Sequence, residues 1–358
     1  LSEREKQRPA IGSYCLVLTK DGVTPVLLDS GFDYNGTVKR FRDVVSKGRN
    51  LEGSRNALYE HLITPVLPHL PAGVKNIIII PDGDLAYLPF DILRETYESP
   101  DFGETYALSL SPSVSVSMLA AKEGDLRNMA ILAFADAVYN MDGEGADRGQ
   151  RAFDGEKWIN LPGTAAEVGA VQRIADEQNR PIAVYLKEDV SEGTIKYLSV
   201  RGELARYPII HFACHGYFNE DEPGRSGIVM SEVSREHEEG DENDGYLTIP
   251  EIMALNFSAG MVLLSACETG LGEMRRGQGM VGLARAFLVS GTGSIGVSLW
   301  KIDDTGTSLF MTALYKKVLA EGKPFREAYY EVKNAFRHGE FGEDYTRPMY
   351  WAAFTMYE

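Results

Sequence analysis

Two periodicities alternate along the chain. Short apolar runs closed by glycine or polar residues are separated by stretches whose apolar positions recur at three and four. Runs of roughly four to eight apolar residues stopped by turn formers mark buried parallel strands, and the longer periodic stretches mark helices. Residues 13–19 and 24–28 read as a hairpin about Lys20-Asp21-Gly22. Cys15 is a small apolar residue in its first strand. Residues 36–70 read as helical, with Ser54 as a cap and Pro65 and Pro68 as breakers. A buried strand is expected over Asn76–Ile80, another over Tyr106–Leu110, and a helix over Ser113–Ala121.

A second set begins with a strand over Ala130–Ala135 that ends at Asp136. A loop rich in glycine and charge follows, over 139–157. Pro162-Gly163-Thr164 then opens a helix in which Thr164 caps and Glu167 completes a capping box. Strands are expected over Ile182–Leu186, Ile209–Gly216, Met261–Cys267, Ser294–Trp300 and Tyr350–Tyr357. Helices are expected over Ser191–Val200, Pro250–Leu255, Gln278–Ser290, Thr305–Ala320 and Pro324–His338. Strands alternating with helices predict an α/β protein with a mostly parallel sheet covered on both faces. The two sets suggest two sheets side by side, dividing the chain near residue 125 into 1–125 and 126–358.

Bulk composition narrows the function. The 358 residues are 44% hydrophobic, enough for two ordinary cores or one large one. The net charge of −16 argues against direct nucleic-acid binding, which needs a basic footprint. No apolar run approaches the ~18 residues of a membrane span, and the charged start over 1–10 is no signal peptide. A chain opening on Leu1 reads as a fragment of something longer. Three cysteines suit a reducing, cytoplasmic setting and no disulfide framework.

The chemistry gathers at two strand ends. I-I-H-F-A-C-H-G over 209–216 and M-V-L-L-S-A-C-E-T-G-L-G over 261–272 each run apolar and stop at a reactive side chain beside glycine. Open α/β sheets carry their chemistry at the carboxyl ends of such strands. Neighbouring strands would bring the His215 imidazole to the Cys267 thiol, the minimum for a cysteine nucleophile with a histidine base. His211 is assigned to packing or support, and Cys214, pointing to the opposite face, to the core. A zinc site from His211, Cys214, His215 and Cys267 is disfavoured because successive strand residues diverge. G-T-G-S-I-G over 291–296 has its helix and strand in the wrong order for a dinucleotide fingerprint. Gly277-Gln278-Gly279 could cradle phosphate but more simply flanks the site. Trp300, Asp303 and Asp304 end the strand after the cysteine strand, and Asp136 ends another. These four are candidate substrate-binding residues, with one of Asp303 and Asp304 as a helix cap and the other in a pocket for Arg or Lys. Residues 217–248 carry ten acidic residues against Arg225 and Arg235. The segment reads as a solvated insertion, or as a field attracting a basic substrate.

These motifs together name a family. H-F-A-C-H-G, L-S-A-C-E-T-G, R-R-G-Q-G-M-V-G-L-A-R-A-F-L, S-L-W-K-I-D-D and Y-W-A-A-F resemble the CHAT domain of caspase-like, separase-related cysteine peptidases. I-I-I-I-P-D-G-D-L-A-Y-L-P-F-D-I-L, Y-A-L-S-L-S-P-S-V-S-V and L-P-G-T-A-A-E-V extend the resemblance from about Leu58 to the end. It implies a caspase-like α/β/α sandwich, an inactive half followed by an active one. It implies a Cys267–His215 dyad that cleaves a protein or peptide, with the N–H groups of Gly216 and Cys267 as oxyanion donors. By similarity to separase, Asp303 or Asp304 would receive a basic side chain. Tetratricopeptide repeats or a regulatory domain would precede the fragment, and no metal or cofactor is implied. A non-cleaving scaffold of the same fold and another thiol chemistry are the competing readings. The physiological substrate, the activating signal, the oligomeric state and the role of 217–248 are not legible.

Overall fold

The computed structural model describes residues 12–49, 52–119, 130–139, 158–219, 221–234, 242–265 and 278–358. Within them the strands are β1 Tyr14–Thr19, β2 Gly22–Leu27, β3 Asn76–Ile79, β4 Ala107–Leu110, β5 Ile131–Ala135, β6 Ile182–Leu186 and β7 Ile209–Ala213. They continue as β8 Gly216–Tyr217, β9 Gly227–Val229, β10 Tyr246–Thr248, β11 Met261–Leu264, β12 Ser294–Ser298 and β13 Phe354–Tyr357. The α-helices are α1 Tyr34–Ser46, α2 Glu52–Leu58, α3 Phe102–Thr105, α4 Val114–Leu119 and α5 Pro162–Glu177. Beyond them lie α6 Glu192–Val200, α7 Ile249–Ala254, α8 Gln278–Val289, α9 Asp304–Tyr315 and α10 Phe325–Arg337.

One eight-stranded sheet, in the order β3-β4-β13-β12-β11-β7-β5-β6, runs through both sets of elements. The two-sheet expectation is thereby corrected. β13 pairs antiparallel with β12 and parallel with β4, so a strand from the far end of the chain stitches the early strands onto the later ones. The division near residue 125 falls outside the described residues.

The central strands are wholly buried, as continuous apolar runs require. Helix α5 covers one face, where Val168 packs on Ala133, Ala135 and Ala213. Helix α8 covers the other, where Phe287 meets Phe212 and Phe212 stacks on Phe134. The turn after α8 needs Gly291 at φ +104°, because a Cβ there would strike the Phe257 carbonyl. β3, expected to be buried, is instead an edge strand with Ile78 42% exposed. Ser54 lies inside α2 rather than capping it.

The acidic segment 217–248 is not a simple loop. Its described parts contribute β9 and β10 to a three-stranded antiparallel sheet with β8. Its returning arm is tied down by Glu192, fully buried at the start of α6. Glu192 accepts from Gly245 N at 2.6 Å and pairs with Lys196 at 2.7 Å, and Lys196 also reaches Glu251 at 2.7 Å. Burial, partly offset by the Lys196 bond and reinforced by Glu251, pushes the Glu192 carboxyl up to about 7. The unfolded chain releases that proton near pH 4.3. Stability from Glu192 is therefore complete below about pH 4 and falls until pH passes about 7. Thermal melts from pH 4.5 to 8 should show this loss, and Glu192→Gln should flatten the curve in that window. A variant curve parallel to the wild type would assign the pH dependence elsewhere.

Candidate active site

β5, β7, β11 and β12 run parallel, so their carboxyl ends share one rim. His215 stands two residues past the end of β7. Its backbone is held at both groups: N–H donates to Tyr139 Oη at 3.1 Å, and its carbonyl accepts from Val229 N at 2.8 Å. Burial pushes the Tyr139 phenol well above its usual range, which keeps the hydroxyl neutral. The imidazole is fully buried, with ring centroids 4.8 Å from Tyr139 and 5.1 Å from Trp158. Trp158 is itself fixed by its indole N–H bond to Tyr246 Oη at 2.9 Å. The small sheet of the acidic segment therefore buttresses the histidine.

The His215 Nε2 lies 2.8 Å from the Ile159 carbonyl. A carbonyl oxygen only accepts, so Nε2 carries the hydrogen. In the neutral ring the lone pair then resides on Nδ1, and Nδ1 is the basic nitrogen. Ile159 acts through its backbone, so no side-chain signal in the sequence could have flagged it.

Cys267 lies outside the described residues. The described chain reaches Ser265, one residue past β11, which pairs directly with β7. Gly216 opens β8 opposite Ile228. Asp303 is the N-cap of α9, its Oδ1 accepting from Gly306 N at 2.8 Å. Asp304 is exposed and faces a cleft between the starts of α5 and α9. Trp300 is buried and its indole donates to the Met349 carbonyl at 2.9 Å, so the polar end of its ring is turned into the fold. Asp136 adopts φ +55°, donates its N–H to Thr164 Oγ1 at 2.9 Å and pairs with Lys187 at 3.0 Å.

His211, expected to pack or to support, sits in a buried polar group. It is fully buried, with Nδ1 3.2 Å from Tyr315 Oη and Nε2 3.1 Å from Ser265 Oγ. Glu167 Oε1 lies 3.0 Å from the same Nε2. Burial, then the charge of Glu167, raises the Tyr315 phenol well above its usual range. The expected capping box at α5 does not form. Leu161 occupies the cap position, and Thr164 Oγ1 donates to the Leu161 carbonyl at 2.7 Å, which leaves Glu167 to turn inward. Capping spacing and inward burial give the same sequence pattern, so Glu167 was misplaced by a rule that was locally reasonable.

The model of the CHAT domain matches residues 52–358, and the chain belongs to that family. Among characterised relatives it is 21% identical over 360 residues to tetratricopeptide repeat protein 28 of Mus musculus, covering 90% of this chain and 14% of that protein. The Homo sapiens counterpart is 22% identical over 332 residues, covering 84% and 13%. The chain thus spans about a seventh of those relatives' length. Among solved structures, separase in the Saccharomyces cerevisiae separase–securin complex aligns with a TM-score of 0.41 at 14% identity, covering 76% of this chain and 14% of that one. The Arg-specific cysteine proteinase gingipain R aligns with a TM-score of 0.44 at 10% identity, covering 91% and 73%. No helix among the described residues is long and apolar enough to cross a membrane.

Proposed function

We propose that the chain is a cysteine endopeptidase in which Cys267 is the nucleophile and His215 the base. The observation that carries this reading is the Ile159 carbonyl on His215 Nε2, which reserves Nδ1 for proton transfer. Membership of the CHAT family supports it. So does the pairing of β7 with β11, which sends residue 215 and the chain leading to 267 off adjacent strand ends. In this mechanism Nδ1 takes the thiol proton and the thiolate attacks the peptide carbonyl. The N–H groups of Gly216 and Cys267 hold the oxyanion, each contributing about 3 kcal/mol. The imidazolium then protonates the leaving amine, and the neutral ring activates water against the acyl-enzyme.

The preferred bond follows a basic residue, with Asp304 at the pocket mouth, because Asp303 already serves as the cap of α9. Residues 126–358 act as the catalytic half and 1–125 as an inactive half. Attached repeat domains or a partner regulate the enzyme, which works in the cytoplasm. The test is incubation of wild type and Cys267→Ala with a peptide library, reading cleavage positions by mass spectrometry. Cysteine-dependent cuts after Arg or Lys are expected. No cuts, with no labelling of Cys267 by a peptide electrophile, would favour a non-cleaving scaffold.

A further inference from the structure

We propose that Glu167 is the specificity-determining acid at the base of the substrate side-chain pocket, where it takes a guanidinium or ammonium group; this rests on the peptidase reading. The cleft beside Asp304 is narrow and open to solvent. It opens at the carboxyl ends of β11 and β12, the rim that also carries His215. Its walls are hydroxyl-rich, with Thr164, Ser265, Ser298 and Thr307 around Glu167. Glu167 is 5% exposed, and its Oε1 receives no hydrogen bond among the described residues. That oxygen stands 3.0 Å from His211 Nε2, at ion-pair distance, while the same nitrogen is 3.1 Å from Ser265 Oγ. A buried carboxylate oxygen lacking a hydrogen bond is costly, and a cation entering the cleft would supply one.

The charges around the cleft agree. Lys301 lines it but is exposed, where solvent and salt screen it. The helix starts of α5 and α9 bring partial positive charge of about +0.5 each. Asp303 already answers the start of α9 as its cap. Against these stand the full negative charges of Asp304 at the mouth and Glu167 at depth. Gly163 permits the arrangement, since a Cβ there would collide with the Asp304 carboxylate. Asp304 therefore guides a basic side chain in and Glu167 reads its end.

The experiment compares peptides matched except for Arg or its neutral isostere citrulline before the scissile bond, with binding of N-acetyl-arginine amide measured in parallel. Wild type should prefer Arg by roughly 10- to 100-fold, the range of a hydrogen bond to a charged group. Glu167→Gln should collapse the Arg-to-citrulline ratio toward one, and Glu167→Asp should restore part of it. Equal losses on both peptides would make Glu167 a structural residue and overturn the proposal. A wild type indifferent to Arg would overturn it whatever the variants do. If no peptide is cut, binding of the arginine amide by wild type and its loss in Glu167→Gln would sustain the pocket without the peptidase. Absence of binding there would sink it.

Discussion

Cys267→Ala should leave no measurable peptide cleavage, and His215→Ala should lower kcat/KM by about 10³- to 10⁴-fold, the range of a lost general base together with lost thiolate. The asymmetry has a physical cause. Without the thiol no acyl-enzyme forms, whereas without the imidazole the thiolate fraction falls but some nucleophile persists. Cys214→Ala is the matched control. Cys214 is buried, its Sγ 3.9 Å from the Phe134 carbonyl, so its loss should cost some stability and little rate. Burst kinetics with an ester substrate would separate acylation from hydrolysis in each variant. If Cys214→Ala abolished turnover and Cys267→Ala did not, the nucleophile assignment would fall. Retained rate in His215→Ala would remove His215 from the base role.

Why the strands β7 and β11 were legible while the surroundings of His215 were not follows from what a sequence encodes. A buried apolar run is a local pattern, so both strands could be read, although β7 ends at Ala213 and β11 at Leu264, short of the expected ends. The same signal matched Ile182–Leu186, came within one residue of Ile131–Ala135, and overran the end of Ile209–Ala213. A support that acts through the backbone leaves no such trace, as with the Ile159 carbonyl, and Tyr139, which accepts the His215 N–H at its phenol oxygen, lies far away in sequence. Glu167 and Asp303 show a second limit. Both sit near helix starts at capping spacing, yet only Asp303 caps, because the tertiary setting of α5 places Leu161 at the cap and draws Glu167 under His211. Sheet continuity was lost for a third reason. Strand order depends on pairing across long sequence separations, and the link between the two sets of elements is made by four residues near the opposite end of the chain.

That link sets the largest structural effect. Deleting 354–358 should abolish cooperative unfolding, because β13 is an interior strand of the eight-stranded sheet. Its removal strands the ladder of Ile295, Gly296, Val297 and Ser298 on one side and the Leu110 end of β4 on the other. Both edges would then expose unpaired backbone groups inside an apolar core. The single substitution Phe354→Ala isolates the side-chain contribution. Phe354 is 1% exposed and stacks on Phe310 with ring centroids 3.8 Å apart, while its carbonyl accepts from the half-buried Lys333 at 2.6 Å. Truncating it leaves a cavity between β13 and α9 and should cost about 3–5 kcal/mol. A calorimetric scan should show Tm lowered by about 4–7 °C. Because β12 leads directly into Asp303 and Asp304, the truncated chain should also lose activity along with its fold. A truncated chain that melts at the wild-type temperature would mean that the two sets of elements are stable apart, and that the shared sheet is not what holds the rim in place.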